Sequence, residues 1–187
     1  MADRKVKGSL LVDYARMIKA NKDKDWNRYL KPEDWEILNQ RILPSFWYSF
    51  ETFQRCGLAA FHLIAGDNLD LVRQWGKIST ELLVKGPYKM LEQASDPYSA
   101  LERFNILRGQ LFNFDIFTLE LKKIGEKGIK IRAQTSPNEE GNDTYIAQKF
   151  GSTERLVELT GGKNPKIVVI TRPKRGAPLL EFDVTWD

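Results

Sequence analysis

KIVVITRPKRGAPLLEFDVTW, residues 166–186, decides the fold class. Residues 166–172 are an aliphatic, β-branched run, Pro173-Lys174-Arg175-Gly176 is a turn, and 179–186 is a second strand. In that second strand Leu180, Phe182, Val184 and Trp186 fall on one face, and Glu181, Asp183 and Thr185 on the other. Such alternation belongs to an antiparallel strand with one face on a core. Immediately upstream, 144–160 reads as a helix, punctuated by Gly151 and stopped by Gly161-Gly162. Before it, 114–124 and 128–134 are β-rich, and Gly125-Glu126-Lys127-Gly128 between them is a hairpin signal. Residues 135–142, a polar loop with Pro137, are expected to be disordered. The order β-β-α-β-β implies a four-stranded antiparallel sheet with a crossing helix.

Ahead of this part the periodicity is helical. LPSFWYSFETFQRCGLAAFHLIAG, residues 43–66, places Phe50, Phe53, Gly57, Phe61 and Ile64 at helical spacing, with Ser49 as N-cap, Glu51 in the first turn and Gly66 as C′ residue. This helix is apolar on more than one face, so it is expected to lie between other elements. Residues 1–8 are polar and expected to fray. Ser9 is expected to cap a helix over 10–21 with Leu11, Tyr14, Ala15 and Ile18 on one face, and 22–29 reads as a turn that folds Trp26 and Tyr29 back. Pro32, Glu33 and Asp34 start a helix to 41. Asn68 caps one over 69–85 that Gly86-Pro87 breaks, and Asp96-Pro97 opens another carrying Leu101, Phe104, Ile106 and Leu107. The expectation is an α+β protein of one domain over 1–187, with a helical part at 9–110 and an α/β part at 111–187.

Composition narrows the function classes. At 187 residues, 42% hydrophobic and 11% aromatic, the chain can bury a core and is not a disordered protein. One cysteine excludes a disulfide framework and a cysteine zinc cluster, and fits a reducing compartment. No apolar signal region follows Met1, and no run reaches the ~18 apolar residues of a membrane span. A cytoplasmic protein with no membrane partner is expected.

Few residues carry chemistry. His62 is the sole histidine, with no second histidine or cysteine cluster to share a metal, so a histidine on a helix face is the expected role and no metal is expected. Cys56 reads as a small buried apolar residue. No Gly-x-Ser-x-Gly elbow, phosphate loop or G-x-G-x-x-G is present, so an enzyme is not expected. Phe50, Phe53, Phe61, Trp75, Phe104, Phe182 and Trp186 are the candidate lining of a pocket for an apolar small molecule, and equally the residues that would fill a closed core. Lys122, Lys123, Lys127, Lys130 and Arg132 on the first hairpin, with Arg172, Lys174 and Arg175 on the second, form a candidate basic strip. The functional reading of the strip is an acidic partner or a nucleic-acid backbone, but no aromatics interleave with these charges, so a solvated edge is favoured. The helix over 10–21 is a candidate surface for a homodimer.

Two segments resemble an uncharacterised bacterial family of about this length. One runs from Lys31-Pro32-Glu33-Asp34-Trp35 through Ile42-Leu43-Pro44-Ser45-x-Trp47-Tyr48 to Gly57-Leu58-Ala59-x-Phe61 and Ile64-Ala65-Gly66. The other is GSTERLVELTGG, residues 151–162, with Phe182-x-Val184-x-Trp186. By element order that family is similar to a ligand-binding superfamily of haem-based nitric-oxide sensor domains, vinyl-reductase-type sensor domains and trafficking-particle subunits that hold an acyl chain. The resemblance implies a non-catalytic binding, sensory or regulatory module. Its haem members use a helical histidine and a Tyr-x-Ser-x-Arg motif for the propionates. Here Tyr48-Ser49-Phe50-Glu51-Thr52 lacks the serine and arginine of that motif, and His62 precedes the expected ligand-bearing segment. The vinyl-reductase type often has a late cysteine cluster, and no cysteine follows Cys56. A protein without haem or other cofactor is expected.

Overall fold

The computed structural model describes residues 3–86, 88–114, 118–134, 142–173 and 179–187. Its elements are β1 (Lys5–Lys7), α1 (Gly8–Ala20), α2 (Pro32–Leu38), β2 (Trp47–Ser49), α3 (Phe50–Leu63), α4 (Leu69–Lys85) and α5 (Pro97–Arg108), then β3 (Thr118–Lys123), β4 (Gly128–Gln134), α6 (Asn142–Leu159), β5 (Lys166–Thr171) and β6 (Leu179–Thr185). The chain is α+β, with a helical first half and a four-stranded antiparallel sheet of order β3-β4-β6-β5 crossed by α6. The loop expected at 135–142 lies outside the described residues as far as 141, and residue 142 already belongs to α6.

Period-two patterning builds the sheet core. Ile129, Ile131, Ala133, Leu180, Phe182 and Val184 are all fully buried on one face, and α6 lays Ile146, Phe150, Leu156 and Val157 across them. Phe150 meets Phe182 edge-on at 5.0 Å between ring centres. Each large side chain removed from water here contributes about 1.5–3 kcal/mol.

The helix caps behave as side-chain chemistry demands. Ser49 Oγ accepts from the Thr52 amide at 3.2 Å, Asn68 Oδ1 from Asp70 at 2.9 Å, and Asp96 Oδ1 from Ser99 at 3.1 Å. Ser9 does not cap α1, which begins at Gly8 with Lys7 in the cap position. The Gly8 and Ser9 amides donate instead to the carbonyls of Phe46 and Pro44, at 2.9 and 3.0 Å, so the first turn is satisfied by main chain. Of the residues expected to fray, 5–8 are likewise held. β1 pairs with β2, Val6 opposite Tyr48, and bridges to Phe112, which sinks Val6 fully among Phe50, Leu111 and Phe112. In a strand of three residues only the middle one needs to be apolar, so Lys5-Val6-Lys7 looks polar to any composition window.

Two contacts fix the helices to each other. Asp34, fully buried, receives Arg55 Nε and Nη2 at 2.7 Å each, the Thr52 hydroxyl at 2.6 Å and the Lys31 amide at 2.9 Å, locking α2 to α3. Between α4 and α6 the main chains almost touch. A Cβ on Gly76 would lie 2.1 Å from the Gln148 carbonyl oxygen, and one on Gly151 would lie 1.8 Å from that of Arg73. Ion pairs flank this crossing: Arg73 with Glu154, Lys77 with Glu158 at 2.8 Å, and Arg155 with Glu81 at 3.0 Å.

Candidate ligand cleft

The close α4–α6 crossing leaves a wedge where the start of α4 diverges from α6 and β5. A cleft of about 260 Å³ opens there. Ile146, Ala147 and Phe150 from α6 line it with Ile167 and Val169 from β5, and Leu69, Asp70, Arg73, Asp143 and Arg172 complete the lining. These floor positions follow from local patterning: inward residues of an edge strand face the helix that crosses it. Arg73 does not swing freely. Its Nε donates to Glu154 at 3.0 Å, its Nη2 donates to the other oxygen of that carboxylate, and its guanidinium carbon stands 5.9 Å from the centre of the Phe150 ring. Arg172 lies 3.9 Å from Asp143 on the exposed side. The lining contains no serine, cysteine, histidine or lysine, and its two carboxylates are exposed.

None of the seven aromatics expected to line a pocket borders this cleft, and they are spread over several packing clusters. Phe50 stacks in the cluster of Val6 and Phe112, 4.8 Å from Phe114. Phe53 packs between Tyr14 and Phe50, with ring centres 5.4 and 6.0 Å away. Phe61 and Trp75 flank Ala65, Val72 and Ala147, while Phe104, Phe182 and Trp186 join the sheet core. Helical and strand periods assign each ring to its nearest neighbours, and spacing alone does not reveal where packing leaves a gap. The cleft residues Ile146, Ala147, Phe150, Ile167 and Val169 carry no sequence signal beyond that of core residues.

The basic strip is also divided. Lys130 Nζ reaches Glu181 at 3.1 Å and Asp183 at 3.0 Å, and Arg132 reaches Glu181 at 2.9 Å. These acids arrive from β6, which pairs with β4, so counting acids along the hairpin alone missed them. Lys122 stands on the same outer face, opposite Lys130, whereas Lys123 turns to the other face with Nζ 4.6 Å from the centre of the Tyr98 ring. Lys127 is exposed in the hairpin turn, Arg172 lines the cleft, and Lys174 and Arg175 lie outside the described residues.

His62 sits at the end of α3. Its Nδ1 shares a 2.5 Å hydrogen bond with Asp67 Oδ1, and its ring stacks on Tyr29 at 5.0 Å. Cys56 is fully buried, and that burial pushes its thiol up to about 12. Among the described residues no group of histidine, cysteine, aspartate and glutamate is placed to hold a metal ion. Among them too, no helix is long and apolar enough to cross a membrane.

An α+β chain with a helical half, a crossing helix and an antiparallel sheet defines a fold seen elsewhere. Comparison with known protein families finds no match, and comparison with curated proteins finds none either. Solved structures do match, H-NOX domains among them. A variant of the Fe(II) unliganded H-NOX protein from K. algicida superposes with a TM-score of 0.69 at 11% identity, covering 97% of this chain and 96% of that one. The S. oneidensis H-NOX protein in its Fe(II)NO ligation state gives 0.69 at 12%, covering 97% and 99%. An oxygen-binding H-NOX domain related to soluble guanylate cyclases gives 0.66 at 11%, covering 97% and 95%. The likeness is one of fold.

Haem is the group this fold brings to mind, and the residues present do not fit it. The sole imidazole is engaged by Asp67 and by the Tyr29 face, and it does not line the cleft. The cleft, at about 260 Å³, is smaller than the ~300–1,000 Å³ of ordinary ligand pockets.

Proposed function

We propose that this chain is a non-catalytic small-molecule-binding module on the H-NOX fold that works without haem, in a sensory or regulatory role. The observation that carries the reading is the cleft between α4, α6 and β5, whose apolar floor is bordered by two arginines. Size defines the ligand class. An engineered apolar cavity of about 150 Å³ takes up benzene, so 260 Å³ has room for a compact molecule of roughly one or two rings, with an apolar face for Ile146, Phe150, Ile167 and Val169 and polar groups for Asp70, Arg73, Asp143 and Arg172. Nucleic acid is the weaker reading, because Lys130 and Arg132 are already neutralised within the sheet.

The test has two arms. Mass spectrometry of protein released from native conditions should reveal a co-purified apolar molecule, or a library of small aromatic compounds should raise the melting temperature. Val169→Trp, which fills the cleft from the edge strand, should abolish that shift. A clean spectrum with no shift across the library removes the proposal, and a shift that survives Val169→Trp places the ligand elsewhere.

A further inference from the structure

The rim of the cleft is balanced in sign. α4 brings Asp70 and Arg73, three residues apart and so on one face of that helix. The start of α6 and the residue after β5 bring Asp143 and Arg172. Both signs have bonding capacity left. Among the described residues the Asp70 carboxylate makes no hydrogen bond or ion pair, and its amide is the one turned to Asn68. Arg172 and Asp143 stand 3.9 Å apart, beyond hydrogen-bond reach. Arg73 engages Glu154 through Nε and Nη2 and keeps Nη1 open among the described residues. Nor does Glu154 cancel that guanidinium, because Lys77 shares the carboxylate at 3.5 Å. Along the run of pairs that begins there, the four cations Arg73, Lys77, Arg155 and Lys85 meet only the three acids Glu154, Glu158 and Glu81.

We propose, building on the reading of the cleft as a small-molecule site, that its ligand is a zwitterion with a flat apolar body: an α-amino acid with a side chain of one or two rings. Charge decides against the simpler classes. An uncharged ring would lie over Asp70 and Arg73 and take water from them without replacing it. A plain carboxylic acid suits the arginines but sets like charge against Asp70 and Asp143, and a plain amine does the reverse. In an amino acid the carboxylate accepts charge-assisted bonds from Arg73 Nη1 and from Arg172, while the ammonium donates to Asp70 and Asp143. Both charged groups hang on one carbon, so they stay at the rim while the ring reaches the floor. The Arg73 guanidinium stands 5.9 Å from the centre of the Phe150 ring, so a carboxylate held by Arg73 leaves its side chain beside Phe150, Ile167 and Val169.

Calorimetric titration of the full chain with L-phenylalanine and L-tryptophan at neutral pH tests this, against three relatives of phenylalanine. Phenylalaninamide lacks the carboxylate, phenylpropanoate lacks the ammonium, and phenylpropanamide lacks both. Each should bind about tenfold or more weakly than phenylalanine, and Val169→Trp should abolish binding of the amino acids. Two rim substitutions on exposed residues separate the charges, with circular dichroism to confirm folding. Asp70→Asn should weaken phenylalanine but not phenylpropanoate, and Arg172→Gln should weaken phenylalanine but not phenylalaninamide; a loss shared by every probe overturns the assignment. A relative that binds as tightly as phenylalanine, at a site closed by Val169→Trp, overturns the zwitterion and leaves the cleft as a binding site. So does an absence of amino-acid binding when other small aromatics still raise the melting temperature. Amino-acid binding that survives Val169→Trp overturns the proposal as well, and silence from every probe and the whole library removes both readings.

Discussion

Asp34 keeps its charge with none of its side chain open to water. Burial alone would push that carboxyl up, but the two bonds from Arg55, the Lys31 amide and the Thr52 hydroxyl outweigh it and hold the group below its ordinary value. A carboxylate depressed in the folded state contributes stability above the ordinary range, near pH 4, and loses it as the pH falls through the lowered value. Asp34→Asn should therefore cost about 2–4 kcal/mol at neutral pH, because Arg55 is left three-quarters buried with only the more exposed Glu33, 3.6 Å away, as counter-charge. In urea titrations the gap between variant and parent should close below pH 4; a gap independent of pH would mean that shape matters there and charge does not. Cys56 allows a second check at this scale. With its thiol pushed up to about 12 by burial, it should resist a disulfide reagent at pH 8 in the folded protein and react at once in denaturant.

At the scale of elements, the α4–α6 crossing makes a prediction whose sign is diagnostic. Glycine in a helix interior ordinarily costs about 0.5–1 kcal/mol relative to alanine, so replacing it should stabilise. At Gly76 and Gly151 the added methyl would strike the facing main chain, and each alanine should instead destabilise by about 1–3 kcal/mol, measured by chemical denaturation. The sequence identified both helices but assigned Gly151 only as punctuation, because a glycine needed for close approach looks the same as one that breaks a pattern. Legibility followed locality throughout. Ser49 and Asn68 act on amides two or three residues away, and both caps were readable, as was the helix start at Asp96-Pro97. The capping of α1 was not, since its amides are satisfied by the chain at 44–46. β6 declared its faces through strict alternation, while β1 hid behind two lysines.

At the scale of the whole molecule, the cleft was invisible in the sequence because three elements from different parts of the chain compose it and each contributes only core-type residues. The absence of a haem-binding motif, by contrast, was readable. Purified protein mixed with haem and desalted should show no stoichiometric Soret band. A sharp band that vanishes in His62→Ala would prove this wrong, whereas one unaffected by that substitution reports adventitious hydrophobic binding. The strand at Lys5–Lys7 has a consequence in time. Its Lys5 amide is satisfied by the Asn113 side chain, 108 residues along the chain. Closing so long a loop costs little more entropy than closing a moderate one, yet such non-local pairing forms late. On the ribosome the earliest part of the protein to emerge must therefore wait, unpaired, until the whole helical half has followed it out. In pulse-labelled hydrogen exchange the amides of Lys5 and Lys7 should be among the last to gain protection.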